Sequence, residues 1–524
     1  MNYNYLLCIF TIDEREIMTN SHLTKEKPRL LEAECFESLF ESFRKNIIGY
    51  DAEFSTPYGK KRLVYADWTA SGRLYAPIEK KLAEIFGPFV GNTHTETNIT
   101  GTLMTLSYLK AKEIIKAHVN ANENDAIICT GSGMTGAVLK LQRMLGFKIP
   151  SRMRDYINLA DSLRPVVFIT HMEHHSNQTT WLETIAKKVE IINPDSNGYV
   201  DLSHFRELLE KHKNEKIKIA SITSCSNVTG VFTPYHDIAE MIHEYGGWCF
   251  VDFAACAPYI KINMHPANPA QKLDAIFFSP HKFLGGPGTS GVVIFDKTLY
   301  DNHFAPDQPG GGTVKWTNPW GEHSFYEDVE LREDGGTPPF LQTIKTALCI
   351  RLKEQMNPDL MMKREEALKD YIFERLNNIS NLHVLAGNIK ERLLILSFYI
   401  DDLHYNMGVK LLNDRYGIQV RGGCSCAGTY GHYLMHVSPE QSKAITNKIE
   451  HCDLSEKPGW IRASLHPVMM DCEIVYILDA IEELAKNFKS WGDEYIYDKH
   501  NNYFLHKTNP HNENVIVDKW FESE

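Results

Sequence analysis

The chain has 524 residues, 43% hydrophobic and 23% charged, a globular composition with room for two or three domains with large cores. A net charge of -12 argues against a nucleic-acid or anionic-membrane partner, and no apolar run approaches the roughly 20 residues of a membrane helix. Eleven cysteines at irregular spacings read as reduced thiols of a cytoplasmic protein rather than a disulfide framework.

Residues 1–27 are poorly patterned, and the short apolar patch at 5–12 lacks the basic flank of a signal peptide. Either Met1 or Met18 could start the chain. Apolar spacing predicts a helix within 30–48, a strand over 63–67 and a helix over 77–86 with proline in its first turn. The polar loop 91–98, which contains His94, is rich in hydrogen-bonding groups; it reads either as a ligand loop or as a capped turn before a helix over 102–119. Ala126 to Cys129 predicts a strand, and Thr130-Gly131-Ser132-Gly133-Met134-Thr135-Gly136 then opens a helix over 137–145. Strand, small-residue turn and helix N-terminus together favour a bound phosphate, through free N–H groups and the helix dipole.

A strand over 166–170 runs into His171-Met172-Glu173-His174-His175-Ser176-Asn177. These histidines lack His-Glu-x-x-His spacing, and no thiolate pair matches them, so no metal is assigned. Strands follow over 189–192 and 217–223, the second ending in Ser224-Cys225-Ser226-Asn227-Val228-Thr229-Gly230. After a helix over 238–245 comes the strand 248–251, with Asp252 at its carboxyl end. A carboxylate there either caps a helix or pairs with a protonated ring nitrogen of a ligand. Next, Phe277 to Asp296 holds an apolar strand, Ser279-Pro280-His281-Lys282, a glycine-rich turn and a second strand. A lysine walled in by apolar strands has its amine pKa lowered by desolvation, which suits Schiff-base formation with an aldehyde. The other reading is an exposed turn lysine.

A long glycine- and proline-rich segment, 306–320, precedes Glu333-Asp334-Gly335-Gly336-Thr337-Pro338-Pro339. The pattern then changes to long helices over 340–376 with a break near Pro358, short strands over 382–385 and 393–399, and a helix over 403–416. The loop Arg421-Gly422-Gly423-Cys424-Ser425-Cys426-Ala427-Gly428 leads to Trp460-Ile461-Arg462-Ala463, a final helix over 471–488 and an aromatic, polar tail. The expected division is an extension (1–27), a large domain (28–340), a smaller α+β domain (341–490) and a tail (491–524), with the first helix free to pack on the small domain.

Ser-Pro-His-Lys before a glycine-rich turn resembles the pyridoxal-phosphate (PLP) lysine of class V aminotransferases, and within them the cysteine desulfurase/selenocysteine lyase branch. Six separated motifs fall in the family's order over roughly residues 60–485. The resemblance implies PLP-dependent transferase fold type I, an α/β large domain with a mainly parallel seven-stranded-type sheet. It implies Lys282 as the Schiff-base lysine, with Ser279 and His281 beside it at the cofactor. Met134 backbone and Thr135 hydroxyl would hold the phosphate, His174 would stack on the ring and shuttle protons, Asn227 would bond the ring hydroxyl, and Asp252 the ring nitrogen. Thr337 would reach the partner subunit's phosphate, which implies a homodimer with shared sites. His94 falls on the substrate-side loop, Arg462 on the carboxylate clamp, Cys426 on the nucleophilic thiol and Arg421 on the arginine before it.

Some positions depart from the family. Ala255 stands where it has a glutamine at the ring oxygen, Cys424 is an extra thiol, segments 148–163 and 428–456 look inserted, and the tail has no counterpart. The implied reaction removes sulfur from cysteine, or selenium from selenocysteine, through a cysteine persulfide, releasing alanine and passing sulfur to an acceptor protein. The alternatives are another class V reaction on an amino acid, with Cys426 incidental, and a non-catalytic protein of the same fold.

Overall fold

A computed structural model describes residues 36–508 and 513–522. The expected extension, and the start of the helix expected within 30–48, lie outside the described residues. Seven strands form the central sheet: β1 (Asp125–Thr130), β2 (Val166–Thr170), β3 (Lys188–Ile192), β4 (Lys218–Thr223), β5 (Trp248–Asp252), β6 (Ala275–Phe278) and β7 (Gly291–Asp296). Their order is β1-β7-β6-β5-β4-β2-β3. Strands β2 to β6 run parallel, and β7 is antiparallel to both of its neighbours. Runs such as Val-Val-Phe-Ile-Thr are apolar on both sides of the pleat because helices cover both faces of such a sheet. In the core beneath it Trp181 stacks on Phe250 with ring centres 6.2 Å apart.

The strands follow the sequence expectation within one or two residues. The helix expected from Ala137 starts earlier, as α1 (Met134–Met144), because Gly133 is extended at φ 170° and Met134 N–H is already turned to Ser279 Oγ, 2.8 Å away. A hairpin over Glu53–Arg62, a helix over Leu202–Lys211 and a hairpin over Val314–Phe325 were not legible from periodicity; each is short and largely exposed or half-polar.

A second sheet holds β8 (Leu382–Val384), β9 (Ile395–Ile400), β10 (Arg421–Gly423) and β11 (Trp460–Ser464), antiparallel in the order β8-β9-β11-β10. Two helices, Phe340–Met356 and Pro358–Asn377, precede it. The break falls as expected at Asn357, whose φ of 62° stops one helix while its side chain caps the next. Residues 64–65 pair in parallel with 418–419 as a separate two-stranded sheet, and an isolated bridge from Asp67 to Ser464 ties this early segment to the end of β11. Arg44 Nε reaches Val468 O at 2.6 Å, which ties the helix Phe36–Arg44 to the same region. Segment 428–456 forms helices Gly428–Leu434 and Pro439–Glu450. The tail contains a hairpin, Tyr495–Asp498 with Tyr503–His506, pinned where Asn502 Nδ2 donates to Tyr405 Oη at 2.7 Å. Among the described residues no helix is long and apolar enough to cross a membrane.

Segment 306–337 is held to α1 by a buried ion pair. Lys140 Nζ lies 2.6 Å from Glu333 Oε2 and 3.3 Å from Asp307 Oδ2, with Lys140 and Glu333 side chains fully buried. Removing one partner leaves an uncompensated buried charge. Lys140→Met is therefore expected to cost about 3 kcal/mol of stability, read as a lowered denaturant midpoint. A loss under about 0.5 kcal/mol would show that Glu333 finds other partners.

Candidate active site

Loops leaving the carboxyl ends of the parallel strands gather at one edge, where open sheets of this type bind ligands. With residues from the second sheet they enclose a cavity of about 320 Å³ that Lys282, Asp252, His174, Asn227, Arg462 and Cys426 all line. Lys282 ends a single tight turn, Pro280–Lys282, directly after β6. That turn is packed against Gly72, whose N–H donates to His281 O at 2.9 Å. A Cβ at Gly72 would lie 1.9 Å from Phe283 O, so only glycine fits.

Burial lowers the Lys282 amine to about 8; Asp252 opposes this, while Arg462 and Arg421 add to it. Asp252 is pushed up to about 6 by burial, with Ala254 N–H and Lys282 pulling it back. Its Oδ1 accepts from Ala254 N at 2.8 Å. His174 falls to about 3, first through desolvation and then through Lys282, His175 and Arg462. The His174 ring is therefore neutral near pH 7. Its Nδ1 accepts from Ser176 N at 3.1 Å, which places the ring proton on Nε2.

At the other end, Arg462 Nη1 donates to Asn227 O at 2.9 Å and Nη2 to Asp67 Oδ1 at 2.9 Å; its Nε is buried with no partner. Arg421 Nε donates to Asp67 Oδ2 at 3.0 Å. Asn227 Nδ2 donates to Ser425 O at 2.7 Å, leaving Oδ1 buried and open. The Asn227 amide nitrogen is thus engaged with the cysteine loop, and its Oδ1 is the atom left for a ligand.

That loop is a tight turn. Ala427 N donates to Cys424 O at 3.0 Å, and Ser425 and Cys426 both take left-handed backbone, at φ 51° and 56°. Such paired positive angles mark a turn that non-glycine residues adopt only when surrounding contacts enforce it. Those contacts are present: His175 N donates to Cys426 O at 2.7 Å, and Gly428 N donates to His175 Nε2 at 2.9 Å. Three glycines in its sequence suggest a loop free to swing; these bonds instead fasten the cysteine over the cavity.

PLP would need an anion cradle, a lysine whose amine can turn neutral and an acid for its ring nitrogen, and the residues present supply all three. The N-terminus of α1 opens on the cavity, with Thr135 Oγ1 and Ser176 Oγ 2.6 Å apart at its mouth. A Cβ on Gly133 would come within 3.2 Å of Ser279 Oγ and 3.5 Å of the His281 ring, filling space an anion needs. The buried open Oδ1 of Asn227 and Nε of Arg462 await polar partners.

Two expected residues lie elsewhere. Thr337 Oγ1 meets Asn92 Oδ1 at 3.3 Å, and His94 Nε2 faces Gly312, where a Cβ would lie 3.2 Å away. Loop 91–97 and segment 310–337 thus form their own cluster, and neither residue lines the cavity. Helix Ile99–His118 begins there, capped by Asn98 Oδ1 accepting from Gly101 N, so that part of the loop is a capped turn. Conversely, Asp67, which bridges both arginines, was not recognised in the sequence as part of the site.

A mainly parallel seven-stranded sheet, with a half-buried lysine and a buried acid on neighbouring strand ends, is the type I fold of PLP-dependent enzymes. The family model described as Aminotransferase class-V matches residues 64–476, and the chain belongs to that family. It is similar to a probable cysteine desulfurase of Halalkalibacterium halodurans, 28% identical over 369 residues, which span 70% of this chain and 84% of that one. A probable cysteine desulfurase of Staphylococcus aureus is 27% identical over 370 residues, with the same coverage of 70% and 84%. Among solved structures, apo cysteine desulfurase from Thermococcus onnurineus superposes with a TM-score of 0.67 at 22% identity, over 85% of this chain and 98% of that one. Cysteine desulfurase CsdA from Escherichia coli gives 0.66 at 19% identity, with coverage of 85% and 98%. At these identities the structures establish the shared fold.

Proposed function

We propose that this enzyme is a PLP-dependent cysteine desulfurase, acting on cysteine and, by the same chemistry, selenocysteine. The observation that carries this reading is that Cys426, Lys282 and Arg462 line one cavity although they come from separate elements. The names of the curated relatives support it.

Thr135, the N-terminus of α1, Ser279 and His281 would hold the cofactor phosphate, with Asp252 at the ring nitrogen and His174 against the ring. When bound, PLP supplies an electron sink for charge that develops at the substrate's α-carbon. Arg462 binds the substrate carboxylate, for which a guanidinium has the right fork of donors. Lys282, with an amine near 8, gives and takes protons at the α-carbon. His174 holds its Nε2 proton toward the substrate. Cys426 Sγ takes the substrate sulfur: the carbon–sulfur bond breaks, a sulfur–sulfur bond forms on Cys426, and the carbon fragment gains a proton to leave as alanine. An acceptor protein would then receive the persulfide sulfur. Purified protein given L-cysteine should release equal amounts of alanine and persulfide or sulfide. Transfer of the amino group to a 2-oxo acid, with no sulfide, would instead favour the aminotransferase alternative.

The lowered Lys282 amine fixes a pH dependence. A free lysine captures an aldehyde only when neutral, so capture of PLP by the apo protein should rise with pH through about 8. Asp252 raises this value, so Asp252→Asn should move the midpoint down. Stopped-flow absorbance against pH checks both. A midpoint near 10 would place the amine in solvent instead.

We also propose a homodimer in which Thr337, and with it His94, serves the site of the second subunit. Their placement together outside the cavity supports this. Thr337→Ala should weaken PLP retention about tenfold, through loss of a hydrogen bond to a charged group. Sedimentation that finds a fully loaded, stable monomer contradicts it.

A further inference from the structure

We infer that Asp67 sets the charge and spacing of the carboxylate clamp, and so the preference for amino acids with a single acidic group. This rests on the amino-acid-binding part of the function proposed above.

Strands β10 and β11 pair so that Arg421 lies directly opposite Arg462. Opposed residues of an antiparallel pair share a face, and like charges so placed repel. Asp67 stands between them, with Oδ1 accepting from Arg462 and Oδ2 from Arg421. One carboxylate thereby holds both guanidiniums at a fixed separation. Asp67 is itself fixed by the backbone: Ser464 N donates to Ala66 O at 2.7 Å, and Thr69 N donates to Ser464 Oγ at 2.9 Å.

The donors that remain define the ligand. Arg462 is 3% exposed; one N–H of Nη1 and one of Nη2 are engaged, while Nε is buried without a partner, so Nε–H and the remaining Nη N–H donors are left for a ligand. Two guanidiniums and one carboxylate sum to a single positive charge, which one α-carboxylate neutralises. A second acidic group on the substrate would find no guanidinium charge left to neutralise it, in a cavity that Asp252 also lines. Without Asp67, Arg421 would be free to bind that second group, because its side chain is 49% exposed and only Nε is committed. Asp67 is thus a positioning residue that also excludes dicarboxylates.

The test compares L-aspartate with L-asparagine, nearly equal in shape and different in charge. Binding to the PLP-loaded protein is read from the visible absorbance. Asp67→Asn should lower the ratio of the aspartate Kd to the asparagine Kd about tenfold, the scale of one unscreened charge at a partly exposed site. Asp67→Glu should keep the wild-type ratio, and adding Arg421→Gln to Asp67→Asn should abolish the gain. Arg421→Gln alone should raise the ratio, and it serves as the readout if Asp67→Asn does not fold. An unchanged ratio in Asp67→Asn, or both constants rising together, overturns the inference. A protein that binds amino acids but yields no sulfide from cysteine removes the desulfurase reading and leaves this test intact. Should the protein take up no PLP, calorimetry with succinate and butyrate on the same variants tests the same direction, with Asp67→Asn expected to lower the succinate-to-butyrate Kd ratio and an unchanged ratio overturning the inference.

Discussion

Replacing Lys282 by alanine is expected to cut alanine release from cysteine by about a thousandfold or more, as loss of both a covalent anchor and a proton carrier requires. Among the described residues no other lysine lines the cavity to substitute for it. The fold should survive. The lost amine is one that burial already disfavours as a cation, and Asp252, already pushed up to about 6, can protonate further once its partner is gone. Circular dichroism and sedimentation should match the wild type. Alanine release within tenfold of wild type would mean that Lys282 does not carry the chemistry.

Cys426→Ala is expected to separate binding from sulfur transfer. The bonds that shape its loop are made by main-chain atoms, Cys426 O to His175 N and Ser425 O to Asn227 Nδ2, and both survive the substitution. Alanine tolerates the positive φ no worse than cysteine does. The variant should therefore keep the visible band and still respond to L-cysteine. Persulfide formation should fall below about 1% of wild type, as removal of a nucleophile does elsewhere. Cys424→Ala should be much milder, within about threefold, because Cys424 does not line the cavity. Unchanged alanine release in Cys426→Ala would make the thiol incidental and bring the other class V reactions forward.

The parts of the site that could be read in the sequence are the local ones. Asp252 and Lys282 each end an apolar strand, and strand ends of a parallel sheet are where such side chains meet a ligand. Ser132 to Thr135 read as an anion turn for the same reason. The parts that could not be read depend on contacts between distant segments. Asp67 reaches Arg462 across 395 positions, and nothing in Val-Tyr-Ala-Asp announces it. The glycines of 422–428 suggested freedom, but His175, 253 residues before Gly428, fixes that loop. The tail showed aromatic residues without a clear period, and its hairpin forms because Asn502 and its neighbours find Tyr405 and Asn406.

The most direct measurement is a single turnover with one equivalent of L-cysteine, followed by peptide mass spectrometry without reductant. The proposed reaction predicts one added sulfur on the peptide carrying Cys426, matched by one equivalent of alanine. Alanine without sulfur on that peptide, or amino transfer without alanine, contradicts it.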